Sequence, residues 1–246
     1  MQIYRGFEAI ERHRPRVATV GSFDGVHRGH NALLQRVRQE ADARGLESMV
    51  VTFSPHPRLV LEEPCNLKIL TSLQEKIYLL EQMGIESLLI IPFDRDFSRL
   101  SPQEFIRMLI ERADVKSLVV GYDHRFGRDK SGDFDSLKSM GINAIEVEEK
   151  QVENHHVSST VIRRVVESGR MKEAEQLLGY PYLLFGEVAL DGRITPEEPS
   201  KLIPSPGRYP VDVEGKRATL EISPERELYL TDSGSVGSGE KMIRFL

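Results

Sequence analysis

The stretch RVATVGSFDGVHRGH, residues 16–30, joins a short apolar run to a loop rich in glycine, histidine and aspartate. Residues 16–21 are rich in β-branched side chains and end on a glycine, which predicts a buried strand. From about residue 29 apolar side chains recur at helical spacing, and Gly45 is a typical helix stop. The stretch therefore predicts a strand, a glycine-rich turn and a helix, in that order.

Strand-like and helical segments keep alternating along the chain after this stretch. The further predicted strands are residues 48–53, 86–93, 116–121 and 142–148, and the further predicted helices follow Thr71 or cover residues 101–113 and 158–170. Nearly all-apolar strands that alternate with helices predict an α/β fold, a Rossmann-like, doubly wound parallel sheet with helices on both faces. Ligands of such folds lie at the carboxyl ends of the strands, and in this chain those ends carry GSFDGVHRGH, TFSPHP, PFDRDF and VVGYDHRFGRDKSG.

The pattern changes near residue 182, where short strand-like pieces separated by glycine and proline begin. We therefore predict two domains, an α/β domain over residues 1–182 and a small antiparallel β module over residues 183–246. The β module has about 64 residues, so its own core is expected to be small.

Composition narrows the classes of function. The formal net charge of -5 gives the chain no global attraction for nucleic acid or anionic membranes, so we expect neither as a partner. Cys65 is the single cysteine, which excludes a disulfide within the chain. The polar N-terminus does not resemble a signal peptide, and no apolar run reaches the roughly 18 residues that span a bilayer. A cytoplasmic location is the expectation.

Residues 21–30 admit three interpretations. The glycines alone would turn the chain. Asp24, His27 and His30, joined by His56, would form a metal site, although a histidine pair with no nearby glutamate is a weak zinc pattern. The third interpretation is a phosphate site, because the unpaired N–H groups of a helix that follows a strand attract anions. His27 and His30 are three residues apart, so both can donate hydrogen bonds to phosphate oxygens.

Two segments carry a resemblance to a known group of enzymes. GSFDGVHRGH resembles the H-x-G-H signature of the Rossmann-like nucleotidyltransferase superfamily, and VSSTVIR (157–163) resembles its second signature, I-S-S-T-x-I-R. TFSPHP (52–57) and GYDHRFGRDKSGD (121–133) are similar to segments of the prokaryotic FAD synthetases, which usually join an FMN adenylyltransferase domain to a riboflavin kinase domain. The resemblance covers residues 1–182.

The resemblance implies adenylyl transfer from ATP to FMN, with Mg²⁺ bridging the phosphates and no metal held mainly by protein side chains. His27, His30 and Arg163 are the implied catalytic residues: the histidines contact the ATP phosphates, and Arg163 neutralises the leaving phosphates. The implied ATP-binding residues are Gly21, Ser22, Phe23, Gly29, Asp123, Ser159 and Thr160. The implied flavin-binding residues are Phe53, Pro55, His56 and Pro57. Both signatures are expected to contact one triphosphate.

The C-terminal module departs from the family pattern. Residues 192–207, GRITPEEPSKLIPSPG, lack the Gly-x-Pro-Thr-Ala-Asn loop of the kinase, and the later segments are expected to stop short of the usual barrel. We therefore expect adenylyl transfer alone, with a truncated β module that contacts a partner or a second copy of the chain. The alternatives are a bifunctional enzyme, a nucleotidyltransferase for another phosphorylated acceptor, a non-catalytic nucleotide-binding protein and a metal hydrolase.

Overall fold

Six strands form one sheet: β1 (Gln2–Arg5), β2 (Arg16–Val20), β3 (Glu47–Ser54), β4 (Ser87–Pro92), β5 (Val115–Gly121) and β6 (Asn143–Val147). All neighbouring pairs are parallel, and the spatial order is β1-β4-β3-β2-β5-β6. The computed structural model describes residues 1–10, 14–62, 65–121, 134–147, 151–152, 155–231 and 236–246. The predicted α/β class with a parallel sheet is confirmed, while the short edge strand β1 was not predicted.

The strand order reverses at β2, the strand that begins the stretch 16–30. On one side of β2 the order is β3, β4 and β1, and on the other side it is β5 and β6. All five residues of β2 are buried. Open α/β sheets bind their ligands outside the carboxyl ends of the strands at such a reversal, and Gly21 begins the loop at this position.

The helices are α1 (Arg28–Arg44), α2 (Pro57–Leu61), α3 (Leu73–Gln82), α4 (Pro102–Ala113), α5 (Phe134–Ser139), α6 (Ser159–Glu167) and α7 (Met171–Leu178). At α4 the predicted capping box is present, with Ser101 and Glu104 bonded reciprocally. The helix predicted over 158–170 ends earlier, because Gly169 has a φ of 75° and separates α6 from α7. Within the described ranges, no helix combines the length and apolar character needed to cross a membrane.

Apolar side chains cover both faces of the sheet. Ala18 and Val20 point to one face, where α4 contributes Phe105 and Leu109. Val17 points to the other face, where its cluster contains Val37 and Ala41 of α1 and Val119 of β5. Successive residues of a strand face opposite sides, so β2 supplies both cores, and its two polar residues, Arg16 and Thr19, are buried with the apolar ones.

A closed antiparallel barrel follows the α/β sheet in sequence. Its strands are β9 (Leu183–Val188), β10 (Arg193–Pro196), β11 (Gly207–Val213), β12 (Lys216–Ile222), β13 (Leu228–Thr231) and β14 (Gly239–Phe245), in the order β10-β13-β12-β11-β14-β9. The predicted antiparallel module is confirmed, but the expectation that it stops short of a barrel is wrong. β10 and β14 were not predicted, and both pair with β9 to close the ring. Two short strands, β7 (Gln151–Val152) and β8 (His155–His156), form a separate antiparallel pair.

The chain divides into two compact units. Unit 1 comprises Met1–Phe23, Gly29–Leu67 and Leu79–Lys150, and unit 2 comprises Asp24–Arg28, Lys68–Tyr78 and Gln151–Leu246. Unit 2 has one continuous core, to which α6, α7 and the barrel contribute Ile162, Val165, Leu178, Val188, Val211 and Phe245. The boundary between residues 182 and 183 stays a prediction, because compactness alone does not show which part folds independently.

Gly186 of β9 gives a test of the barrel. A Cβ at this position would lie 2.6 Å from the Thr195 carbonyl oxygen, which cannot move away without breaking strand pairing. Gly186→Ala is therefore expected to lower the free energy of unfolding by about 1–3 kcal/mol in urea titrations. Glu187→Ala, an exposed position on the same strand, is the control and is expected to change stability by less than about 0.5 kcal/mol. Equal stability of the two variants would contradict the close approach of β9 and β10.

Candidate active site

The loop between β2 and α1 has an unusual backbone. Phe23 and Val26 adopt φ values of 47° and 34°, and Gly25 between them has a φ of 88°. Bulky and β-branched residues rarely occupy this left-handed region, and each instance costs about 1–3 kcal/mol. The loop therefore depends on surrounding contacts that hold it in this conformation.

Asp24 makes several of those contacts. Its Oδ1 accepts hydrogen bonds from the backbone N–H groups of Leu70, at 2.8 Å, and Thr71, at 3.1 Å. Its Oδ2 accepts from Nη2 of Arg163 at 2.5 Å, and the residue is 2% exposed. The Thr71 hydroxyl oxygen in turn accepts from the Gly25 N–H at 3.1 Å. Residues 68–71, which we call the anchor segment, thus hold the loop through both side chain and backbone.

The metal interpretation does not fit this arrangement of Asp24. Both carboxylate oxygens already accept hydrogen bonds, and a guanidinium stands where a cation would bind. Among the residues that the structure describes, no three His, Cys, Asp or Glu side chains are grouped to hold a metal ion.

The second signature segment meets the loop at the same aspartate. The Ser159 hydroxyl, in the first turn of α6, donates to the Asp24 carbonyl oxygen at 2.8 Å. Arg163, one turn further along α6, donates from Nε to the Lys68 carbonyl oxygen at 3.0 Å in addition to its ion pair with Asp24. Ser158 is the N-cap of the helix, and Thr160 is exposed. The structure therefore brings Ser159 and Arg163 to Asp24 and leaves the Thr160 side chain open to solvent.

Tight packing explains one glycine of the first signature. A Cβ on Gly25 would lie 2.8 Å from Cδ1 of Leu70, and the φ of 88° already favours glycine. The Tyr180 hydroxyl donates to the Gly25 carbonyl oxygen at 2.5 Å. Tyr180 was not predicted as part of the site, and no local sequence pattern points to it.

The first residues of the loop pack around one aromatic ring. Phe23 is 1% exposed, and its ring meets the His30 imidazole edge to face at 5.1 Å between centroids. A Cβ on Gly21 would lie 3.1 Å from the Phe23 ring, so the small residue admits this packing. The Ser22 carbonyl oxygen accepts from the Thr52 hydroxyl at 3.3 Å.

The two signature histidines differ in their environment. His27 directly precedes α1 and is 7% exposed, whereas His30 lies in the first turn of α1 and is partly exposed. Gly29 is partly buried between them. Unpaired N–H groups and the helix dipole give the start of α1 a partial positive charge that favours anions.

The predicted flavin residues lie at and after the end of β3. The Phe53 ring packs at centroid distances of 5.5, 5.9 and 6.4 Å against an aromatic cluster formed by Phe93, Phe97 and Phe105. Phe93 and Phe97 follow the carboxyl end of β4, and Phe105 lies in α4. Aromatic rings of this kind offer faces and edges to a planar ligand.

The remaining flavin candidates form the start of α2. Pro55 is exposed, while His56 and Pro57 are partly buried. The Nδ1 of His56 accepts from the Arg58 backbone N–H at 3.2 Å, so His56 is the N-cap of this short helix. Asp123, the last predicted residue of the nucleotide site, lies outside the described residues.

A buried ionic cluster in unit 2 was not predicted. Glu75 and Lys201 form an ion pair of 2.6 Å with side chains 0% and 1% exposed. Burial lowers the pKa of Lys201, which the Glu75 carboxylate opposes, and burial lowers the pKa of Lys76 to about 8, which Asp24 opposes. Burial raises the pKa values of Tyr180 and Tyr182 well above the usual tyrosine value, and the negative charges of Glu75 and Asp24 add to this effect. The sequence indicates Glu75 only as a residue of the first turn of α3.

Comparison with known proteins agrees with this architecture. The chain is an α/β protein with a parallel sheet and a glycine-rich loop at the strand-order reversal, the position at which such folds bind their ligands. The FAD synthetase family profile matches residues 9–161, more than half of the chain, so the chain belongs to the FAD synthetase family.

Its relatives include bifunctional enzymes. The chain is 36% identical over 177 residues to the bifunctional riboflavin kinase/FMN adenylyltransferase of Listeria monocytogenes, and 38% identical over 177 residues to that of Escherichia coli K12. Each match covers 70% of this chain and 56% of the relative, so the chain spans little more than half of their length. A crystal structure titled as a macrolide-efflux protein from Streptococcus pneumoniae is similar over the whole chain. The match covers 100% of this chain and 98% of the other, with a TM-score of 0.87 and 27% sequence identity.

Lys76 gives a pH-dependent test of the buried cluster. Because its folded pKa of about 8 lies below the 10.5 of a free lysine, its protonation favours unfolding. This penalty is fully present below about pH 8 and is relieved as the pH rises from 8 towards 10.5. Lys76→Met is therefore expected to raise the free energy of unfolding at neutral pH by up to about 3 kcal/mol, and the gain should shrink at higher pH.

Urea titrations at pH values between about 6.5 and 9.5 measure this gain. Lys172→Met removes an exposed lysine of α7 and is the control, with no expected change in stability across the range. A gain at Lys76 that stays constant over the whole range would contradict the lowered pKa.

Proposed function

We propose that this chain is an FMN adenylyltransferase, which forms FAD and pyrophosphate from FMN and ATP. The observation that carries the proposal is the meeting of both nucleotidyltransferase signatures at Asp24, through Ser159 and Arg163. A strained loop held this firmly next to two histidines is better explained by ligand binding than by a simple turn. The adenylyltransferase activity named for the relatives from Listeria monocytogenes and Escherichia coli supports the same proposal.

The reaction needs no nucleophile from the protein. A phosphate oxygen of FMN attacks the α-phosphorus of ATP, a new P–O bond forms, and the bond from this phosphorus to the bridging oxygen breaks to release pyrophosphate. Catalysis of this kind depends on alignment and on stabilisation of developing negative charge. ATP enters with magnesium, which we count as part of the substrate, and the ion neutralises phosphate charge.

Each proposed residue has a role that follows from its chemistry. His27 and His30 donate hydrogen bonds to the ATP phosphates, and the N–H groups at the start of α1 support the same anion. Arg163 contributes positive charge from a guanidinium whose orientation Asp24 and the Lys68 carbonyl oxygen hold. Ser159 holds the loop through the Asp24 carbonyl oxygen, and Thr160 offers an exposed hydroxyl to the leaving phosphates.

The remaining candidates contribute to the shape of the site. Gly21, Ser22, Phe23 and Gly29 keep the backbone close to the nucleotide, and Asp123 is assigned to the same ligand from sequence. Phe53 and the aromatic cluster, with Pro55, His56 and Pro57, are assigned to the flavin ring. The enzyme is proposed to act in the cytoplasm on small molecules, without nucleic acid or membrane partners.

The closed barrel keeps a second candidate function open, a bifunctional enzyme that also phosphorylates riboflavin. Residues 192–207 argue against kinase activity, because they lack the expected phosphate loop. We therefore propose adenylyl transfer alone, with the barrel as a supporting module that is also a candidate surface for self-association.

Turnover of flavins separates these functions. The purified chain is incubated with magnesium and ATP plus either FMN or riboflavin, and the products are resolved by chromatography. FAD is expected from FMN, and no FMN is expected from riboflavin. FMN formed from riboflavin would show that the barrel retains kinase activity, and no FAD from FMN would contradict the proposed function.

Variants of α1 test the role of the histidines. His30→Ala is expected to lower kcat by about 100-fold, the usual loss when one donor to a developing phosphate charge is removed. Gln35→Ala, at an exposed position of the same helix, is the matched control and should keep wild-type kcat. A His30→Ala variant with wild-type kcat would exclude this residue from catalysis.

A further inference from the structure

A lysine that follows β10 is buried against the anchor segment. Lys201 belongs to residues 192–207, the segment that lacks the expected kinase loop. Its Nζ donates to the Leu70 carbonyl oxygen at 2.5 Å and to Glu75 Oε2 at 2.6 Å. The same ammonium lies 4.2 Å from the centre of the Tyr182 ring. An ammonium that is 1% exposed is stable only with such partners, so its position is narrowly defined.

Backbone pairing holds the same two segments together. The Ile69 N–H donates to the Ser200 carbonyl oxygen at 2.9 Å, and the Leu202 N–H donates to the Ile69 carbonyl oxygen at 2.8 Å. Ile69 and Lys201 thereby form a parallel bridge. The backbone hydrogen bonds thus hold residues 200–202 beside the anchor segment, and the Lys201 side chain adds a further hydrogen bond between the two segments.

Leu70 links Lys201 to the loop of the first signature. Its carbonyl oxygen accepts from Lys201, and its N–H donates to Asp24 Oδ1 at 2.8 Å. The Leu70 carbonyl shares its peptide unit with the Thr71 N–H, which also donates to Asp24 Oδ1, at 3.1 Å. A shift of this peptide unit away from Lys201 would thus move a donor on which Asp24 depends. Asp24 lies three residues before His27.

Glu75 fixes the other end of the contact. Its carboxylate accepts from the Ser72 N–H at 2.8 Å and from the Phe185 N–H at 2.9 Å, besides Lys201. The Ser72 hydroxyl oxygen accepts from the Glu75 N–H at 3.1 Å, which completes a capping box at the start of α3. Without Lys201 the carboxylate would keep these two N–H donors but would lose the ion pair that balances its buried charge.

We propose that Lys201 is a positioning residue for ATP: it fixes the anchor segment, which fixes Asp24 and the loop that carries His27. The inference rests on the proposed function, because it assigns Lys201 to the support of the nucleotide-binding loop. In this chain the segment without the kinase loop supports adenylyl transfer instead.

The test compares ATP affinity in matched variants of the full chain. Lys201→Met is expected to bind ATP about tenfold more weakly, equivalent to about 1.4 kcal/mol, in calorimetric titrations with magnesium and without FMN. Val213→Ala is the control for stability, because it opens a cavity in the barrel core at a strand position paired with Lys216 and Ile243. It is expected to lower the melting temperature by roughly 5 °C and to leave the ATP affinity within twofold of wild type.

A double variant separates positioning from stability. Lys201→Met with Glu75→Gln removes the unpaired buried carboxylate, so the melting temperature should recover in part. The Leu70 carbonyl oxygen still lacks its donor, so the ATP affinity should stay low. All titrations use a temperature at which thermal melts show every variant folded.

Two results would overturn the inference. One is an ATP affinity of Lys201→Met equal to that of Val213→Ala, and the other is wild-type affinity in the double variant. FAD formation by the wild-type chain is measured separately. A wild-type chain that binds ATP but makes no FAD contradicts the proposed function alone, since the comparison of ATP affinities does not use FMN.

Discussion

The buried carboxylate of Asp24 is the constraint on which the candidate site depends. It joins the loop after β2 to the anchor segment through two backbone N–H groups and to α6 through Arg163. Left-handed backbone at Phe23 and Val26 is costly, so the loop keeps this conformation only while such contacts hold it. A carboxylate that is 2% exposed is in turn stable only with these donors. Loop conformation and side-chain pairing therefore require each other.

The pattern of apolar residues predicted the sheet well because its central strands are mostly apolar, as burial between helices on both faces requires. β2 and β4 are clear cases, and the capping box of α4 was readable from Ser101 and Glu104. β1 and α2 were missed because they are short. The barrel was only partly predicted, since β10 lies in a stretch rich in proline and charge and β14 begins within a glycine- and serine-rich one. β10 and β14 become strands because each pairs with β9, and no local sequence pattern encodes this pairing.

The site was predicted unevenly for a similar reason. His27, His30, Ser159 and Arg163 stand in recognisable local motifs, and the contacts of Ser159 and Arg163 with Asp24 link those motifs. Asp24 itself was weighed only as a metal ligand, because its partners at Leu70 and Thr71 are 46 and 47 residues away along the chain. Glu75 and Lys201 are separated by 126 residues, and neither lies in a local motif that predicts a buried ion pair. Contacts between residues far apart in sequence cannot be predicted from the spacing of residues within a local segment.

A double-mutant cycle on Asp24 and Arg163 tests the central claim most directly. The free energy of unfolding is measured for the wild type, Asp24→Asn, Arg163→Met and the double variant. If the ion pair holds the loop and α6 together, the sum of the stability losses in the two single variants should exceed the loss in the double variant by about 1–3 kcal/mol. Losses that add within about 0.5 kcal/mol would show that the two residues act independently, and would contradict the role of Asp24 as the constraint that holds the loop to α6.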